Sequence, residues 1–221
     1  MPRVTELAVT VPALDTLAPA TQKWLGARTE TRTYTAGAIL ALEGDPPAGV
    51  WVVIEGTLRL RLMSPEGREQ VVAYLSPGDW AGLVPVLDNE AHPATVDAVT
   101  PVSALWMPRE VFGELLRRAP GVSRAINRQL AARVRGLTRM VEDLALRPVN
   151  ARLARFLLSN AEQRPSVHRW TQYDIAAHIG TVRDVVGRAF RELAREGIVR
   201  RERGRLVIAD RAALERMAQS T

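Results

Sequence analysis

The spacing of apolar residues changes once along this chain, at Pro108, and that change limits the folds open to it. Before Pro108, apolar and polar residues alternate. Leu58, Leu60 and Leu62 are interleaved with Arg59 and Arg61, the period-two pattern of a strand with one face on a core and one in water. Strands are predicted over Val50–Ile54, Thr57–Met63, Gln70–Leu75, Val96–Val99 and Val102–Met107. The first four are punctuated by Glu55-Gly56, Ser64-Pro65-Glu66-Gly67 and Ser76-Pro77-Gly78-Asp79, where glycine accepts a positive φ and proline presets a turn. Short antiparallel strands at this spacing predict a small barrel or roll.

After Pro108 the pattern is helical. A short helix is predicted over Arg109–Arg118, and a long one then runs to about Leu146, where Arg147-Pro148 ends it. Its apolar positions are Val122, Ile126, Leu130, Val134, Leu137, Val141 and Leu144, in steps of four and three. Such a stripe could lie on its own roll. A helix of roughly 25 residues is about 38 Å long, however, and overhangs a small barrel. The expectation is therefore a homodimer with a seam at Ile126, Leu130, Val134, Leu137, Val141 and Leu144. Further helices are predicted over Asn150–Glu162, Gln172–Ile179, Val182–Glu196 and near Arg211–Met217, with a short hairpin before the last. The fold class is thus α+β, in three parts: a roll over 1–109, a dimerisation helix region over 110–147, and a helical domain over 148–221.

Charge divides in the same place. Residues 1–109 carry 8 basic against 12 acidic side chains, and residues 110–221 carry 22 against 12. All the basic residues but Lys23 are arginine. A basic second half points to a polyanionic partner, although arginine on solvated helix faces would give the same count. The chain has no cysteine, which excludes disulfides, thiolate-bound zinc, cysteine-ligated iron–sulfur clusters and a cysteine nucleophile. No apolar run approaches the roughly 20 residues that span a bilayer, and Met1–Thr10 lacks the apolar core of a signal peptide. A cytoplasmic protein without membrane contact is expected. No nucleophile–base pair, metal triad or phosphate-cradling glycine loop is present, and His92, His168 and His178 are scattered. Neither an enzyme, a bound metal nor a cofactor is indicated.

The segment Thr171–Gly197, TQYDIAAHIGTVRDVVGRAFRELAREG, carries the functional signal. Each of its two helices opens on a threonine followed three residues later by aspartate, Thr171 with Asp174 and Thr181 with Asp184, as in a capping box. Gly180 makes the corner. Two short helices followed by a Gly-tipped hairpin predict a winged helix-turn-helix. In that motif the second helix enters the DNA major groove, where arginine grips guanine and a carboxylate accepts from cytosine. Arg183, Asp184 and Arg188 are the candidate base readers, although Asp184 could serve only as the capping partner of Thr181. Gly187 would let the helix approach its neighbours closely. Thr171, Gln172 and Thr181 are candidate phosphate contacts at the helix starts, with Arg203 and Arg205 on the hairpin. Arg191 and Arg195 read as solvated or phosphate-facing.

On these residues the chain resembles the CRP/FNR family, the cyclic-AMP receptor and fumarate–nitrate regulators of bacteria. The likeness runs from about Tyr34 to Ile208 and rests on Gly44-Asp45, VWVVIEG at Val50–Gly56, Glu66-Gly67, YLSPGDW at Tyr74–Trp80 and RDVVGRAFREL. It implies an N-terminal cyclic-nucleotide-binding-type β-roll, a homodimer on the long helix, and two recognition helices on palindromic double-stranded DNA. Half-sites would lie about 34 Å apart. Arg183, Asp184 and Arg188 are the base readers that the resemblance implies. An activator of this kind would also meet RNA polymerase, on surfaces that the sequence does not mark.

The sequence departs from the family where a cyclic nucleotide would sit. Members that bind cyclic AMP carry Gly-Glu and Arg-Ser pairs around its ribose and phosphate. Here those positions read Gly82-Leu83 and His92-Pro93, and the Thr-Ser pair that would hold adenine reads Leu137-Thr138. Burying a phosphodiester charge without its arginine is costly. The expectation is a degenerate effector pocket and regulation independent of cyclic AMP, with an unidentified ligand in the roll as the alternative. His92 could ligate haem, but a lone histidine beside proline reads as a loop residue.

Overall fold

The computed structural model describes residues 14, 16–162, 170–202 and 205–220. The chain divides into two compact units, Met1–Leu62 with Val72–Arg135, and Met63–Val71 with Gly136–Thr221. The long helix gives its first half to one unit and its second half to the other.

Eight strands, in the first unit except for Met63 and Glu69–Val71, come first: β1 (Glu30–Tyr34), β2 (Ile39–Ala41), β3 (Gly49–Glu55), β4 (Leu58–Met63), β5 (Glu69–Leu75), β6 (Trp80–Ala81), β7 (Thr95–Ala98) and β8 (Val102–Pro108). They form two four-stranded sheets, ordered β1-β8-β3-β6 and β2-β7-β4-β5. Helix α1 (Pro19–Gly26) precedes them, and α2 (Leu83–Asp88) is inserted after β6. Helix α3 (Arg109–Arg118) and the long α4 (Pro120–Leu146) follow. The predicted strands are all present within a residue or so of their expected ends, while β1, β2, β6, α1 and α2 are additional.

Alternation along β3 gives this unit two cores. Trp51 and Val53 join Leu58, Val96, Ala98 and Ala104 in one cluster. Val50 and Val52 face the other way and meet Leu25, Phe112, Leu115, Val122 and Ile126. The face of β4 expected to be wet is only partly so. Arg59 and Arg61 both turn onto the buried carboxylate of Asp97, at 2.8 Å and 3.0 Å, so the pair on β4 closes on β7 across the ladder.

Helix α4 is held to the roll through its first half. The Gln129 amide donates to the Trp80 carbonyl at 3.0 Å, and the Trp80 N–H donates to Gln129 Oε1 at 3.2 Å. Ile126 is only 2% exposed and Leu130 packs against the same cluster. The seam predicted from periodicity is therefore corrected at Ile126, which fills the core of its own roll, while Leu130 is only partly buried. Further along, Val134 and Val141 are 62% and 65% exposed, and Leu137 and Leu144 are also open.

In the second unit α4 is followed by α5 (Val149–Glu162), α6 (Gln172–Ile179), α7 (Arg183–Arg195), β9 (Val199–Glu202), β10 (Arg205–Ile208) and α8 (Arg211–Ala218). Its core joins Leu153, Phe156, Ile175, Ile179, Val186, Leu193, Ile198 and Leu214. β9 and β10 pair antiparallel, with Arg205 opposite Glu202 and Ile208 opposite Val199.

Candidate nucleic-acid interface

α6 and α7 form a helix-turn-helix. Thr171 is the N-cap of α6: its hydroxyl accepts from the Asp174 N–H at 3.1 Å, and Asp174 accepts the Thr171 N–H at 2.9 Å. This is the capping box expected from the sequence. At the far end Gly180 adopts φ +70°, the left-handed conformation that glycine supplies without strain. Arg152 of α5 donates to the carbonyls of Ile179 and Gly180, satisfying groups that the end of α6 leaves unpaired. Burial pushes the Arg152 guanidinium below its usual range, and Asp143 works against that shift. Leu144 lies against the Gly180 corner.

The second capping box does not form. The Thr181 N–H bonds back to the Ala176 carbonyl, so Thr181 still belongs to the turn, and the N-cap of α7 is Val182. Asp184 then occupies the second helical position and makes no cap. That correction frees its carboxylate from the alternative role that the sequence left open.

Arg183, Asp184 and Arg188 are exposed on α7, and none is in an ion pair among the described residues. Asp184, Arg188, Arg191 and Arg195 follow one another in steps of four, three and four, so they share one helical face. Val186, Ala189 and Leu193 point the other way into the core, and Asn150 ties α7 to α5 through Glu192 at 3.0 Å. Thr171 is exposed and Gln172 half-buried at the start of α6. A Cβ at Gly187 would meet Gln172 Oε1 at 3.5 Å, an ordinary contact. Close packing is thus not what places glycine there, contrary to the expectation. Arg203 lies outside the described residues, and Arg205 begins β10. The hairpin also carries an Arg200–Glu202 ion pair at 2.7 Å.

Four of the five candidate effector-pocket positions lie in the first unit. Gly82 is the N-cap of α2 with φ +77°, where a Cβ would come within 2.8 Å of the Gly49 carbonyl oxygen. Leu83 is buried in the helix-side core with Val50, Trp80 and Phe112. His92 is 4% exposed with its ring 6.3 Å from that of Trp51, and its backbone bonds reciprocally with the 44–45 turn. Burial lowers its pKa and Asp45 opposes the shift. Pro93, the next residue, is exposed. Thr138, on α4, falls in the second unit and is exposed. Sequence reasoning missed Arg133 on α4, a guanidinium lowered by burial and facing Asp79; its place among exposed arginines gave no sign of that.

Two family models match the chain: the cyclic nucleotide-binding domain over residues 31–119 and the Crp-like helix-turn-helix domain over residues 151–217. The cyclic AMP receptor protein of Thermus thermophilus is 30% identical over 190 residues, covering 86% of this chain and 88% of that protein. The CRP-like cAMP-activated global transcriptional regulator of Mycobacterium tuberculosis is 27% identical over 194 residues, covering 84% and 87%. Among solved structures, a CRP/FNR-family transcriptional regulator from Thermus thermophilus superposes with a TM-score of 0.67 at 27% identity, covering 86% of this chain and 99% of that one. A nucleotide-binding-type roll joined to a helix-turn-helix defines a class of DNA-binding transcription regulators. The chain belongs to the CRP/FNR family. No helix among the described residues is long and apolar enough to cross a membrane.

Proposed function

We infer that this protein is a homodimeric transcription activator that binds a palindromic promoter site and meets RNA polymerase there, without needing cyclic AMP. The observation that carries the DNA reading is the outward face of α7, with Arg183, Asp184 and Arg188 exposed at its start and Thr171 and Gln172 alongside on α6. Dimerisation is supported by Val134, Leu137, Val141 and Leu144, an apolar stripe left open on α4.

Independence from cyclic AMP rests on the pocket positions. The named relatives are cAMP-activated or cyclic AMP receptor proteins, yet Leu83 offers an apolar side chain, already packed in the core, where a ribose needs an acceptor. His92 is buried with a lowered pKa, so at neutral pH it brings no charge to a phosphodiester.

Equilibrium binding to a palindromic duplex tests the reading. Six to ten phosphate contacts are expected to cost about 10³–10⁵ in affinity between about 50 and 200 mM salt. Arg188→Ala is expected to lose about 1–3 kcal/mol of specific binding and to relax the base preference at one position per half-site. Binding that ignores salt, or an unchanged preference in the variant, contradicts it.

A further inference from the structure

Val182 goes against two local preferences at once. It is the N-cap of α7, with φ −108° and ψ 154° and no side-chain cap, at a position where Ser, Thr, Asp or Asn is strongly favoured and valine is among the poorest choices. It is also an aliphatic side chain left 42% exposed. Either feature alone is common. Together they leave folding with no reason for valine. The backbone asks only for an extended residue whose carbonyl accepts the N–H groups of Val185 and Val186, at 3.1 Å and 3.2 Å. A polar capping residue would do that and satisfy another amide besides. Departures from local consistency of this kind concentrate at functional positions.

The surroundings say what the side chain is for. Arg183 and Asp184 follow it directly and are exposed, so Val182 stands at the N-terminal end of the helix that carries the candidate base readers. In the major groove a branched aliphatic group has one apolar complement, the C5-methyl of thymine. We propose that Val182 is a specificity-determining residue that packs its isopropyl group on a thymine methyl, beside the bases addressed by Arg183 and Asp184. The assignment rests on the DNA-binding reading, and its test separates the two.

The full-length protein first selects duplexes from a random pool. Each thymine of a selected duplex is then replaced singly by deoxyuridine, which lacks only the methyl group, and Kd is read by fluorescence anisotropy. At one thymine per half-site the replacement is expected to weaken wild-type binding about fourfold, the worth of one methyl removed from water. Val182→Ser is expected to bind the thymine and deoxyuridine duplexes equally. Because serine supplies the missing cap, its Tm is expected to rise, which distinguishes lost recognition from a lost fold. Wild-type protein indifferent to deoxyuridine at every position, or a Val182→Ser protein that keeps the discrimination, overturns the role of Val182 and leaves DNA binding standing. A chain that selects no duplex overturns both.

Discussion

His178 lies on α6 with its ring centroid 5.1 Å from that of Phe156 and 5.7 Å from that of Trp170. Burial among these rings lowers its pKa from the ordinary value of 6.5. The unfolded chain then takes up a proton more readily than the folded one. The neutral histidine therefore contributes its full stability above about pH 6.5, and that contribution falls as the pH drops toward the lower folded value. His92 in the roll has the same sign, again through burial. Urea unfolding is expected to show a lower midpoint at about pH 5 than at about pH 7.5, with His178→Phe reducing the drop for the helical half. An identical drop in the variant would remove His178 from the account. At this scale the sequence was half legible. Thr171–Asp174 and Thr181–Asp184 have the same spacing, but only the first forms a capping box. Thr181 is engaged in closing the turn on Ala176, so the second helix begins too late for its threonine to cap it.

The apolar stripe of α4 shows what periodicity conveys about an element and what it leaves open. Steps of four and three identify a helix with one apolar face. They do not say which surface covers that face. Val122 and Ile126 are covered by the roll, whereas Val134 and Val141 are not. Replacing Val134 and Val141 together by glutamate is expected to convert a dimer to a monomer in sedimentation equilibrium. Both side chains are solvated in the single chain, so the helix content should be unchanged. A variant that stays dimeric moves the seam elsewhere. β4 makes a similar point. Leu58 and Leu60 were legible as core, but Arg59 and Arg61 read as a solvated face because their acceptor, Asp97, is 36 residues or more away in sequence and reaches them only through the β4–β7 ladder.

For the molecule as a whole, the expectation that matters most concerns its control. Calorimetric titration with cyclic AMP is expected to give no saturable heat in the micromolar range, and added cyclic AMP to leave the affinity for the palindromic duplex unchanged. Saturable binding would mean that Leu83 and His92 do not disable the pocket. Arg183 and Arg188 on the second helix of the helix-turn-helix, the change of apolar period at Pro108 and the replaced pocket residues were all set by the sequence itself. Each is a matter of residue type and short spacing, which local chemistry reads directly. Tertiary structure alone decided that Ile126 is core while Val134 is surface, that two arginines share Asp97, that Thr181 closes a turn, and that Val182 stands exposed at the head of α7. Burial and pairing depend on which distant segment arrives at a given face, and only the packed chain fixes that.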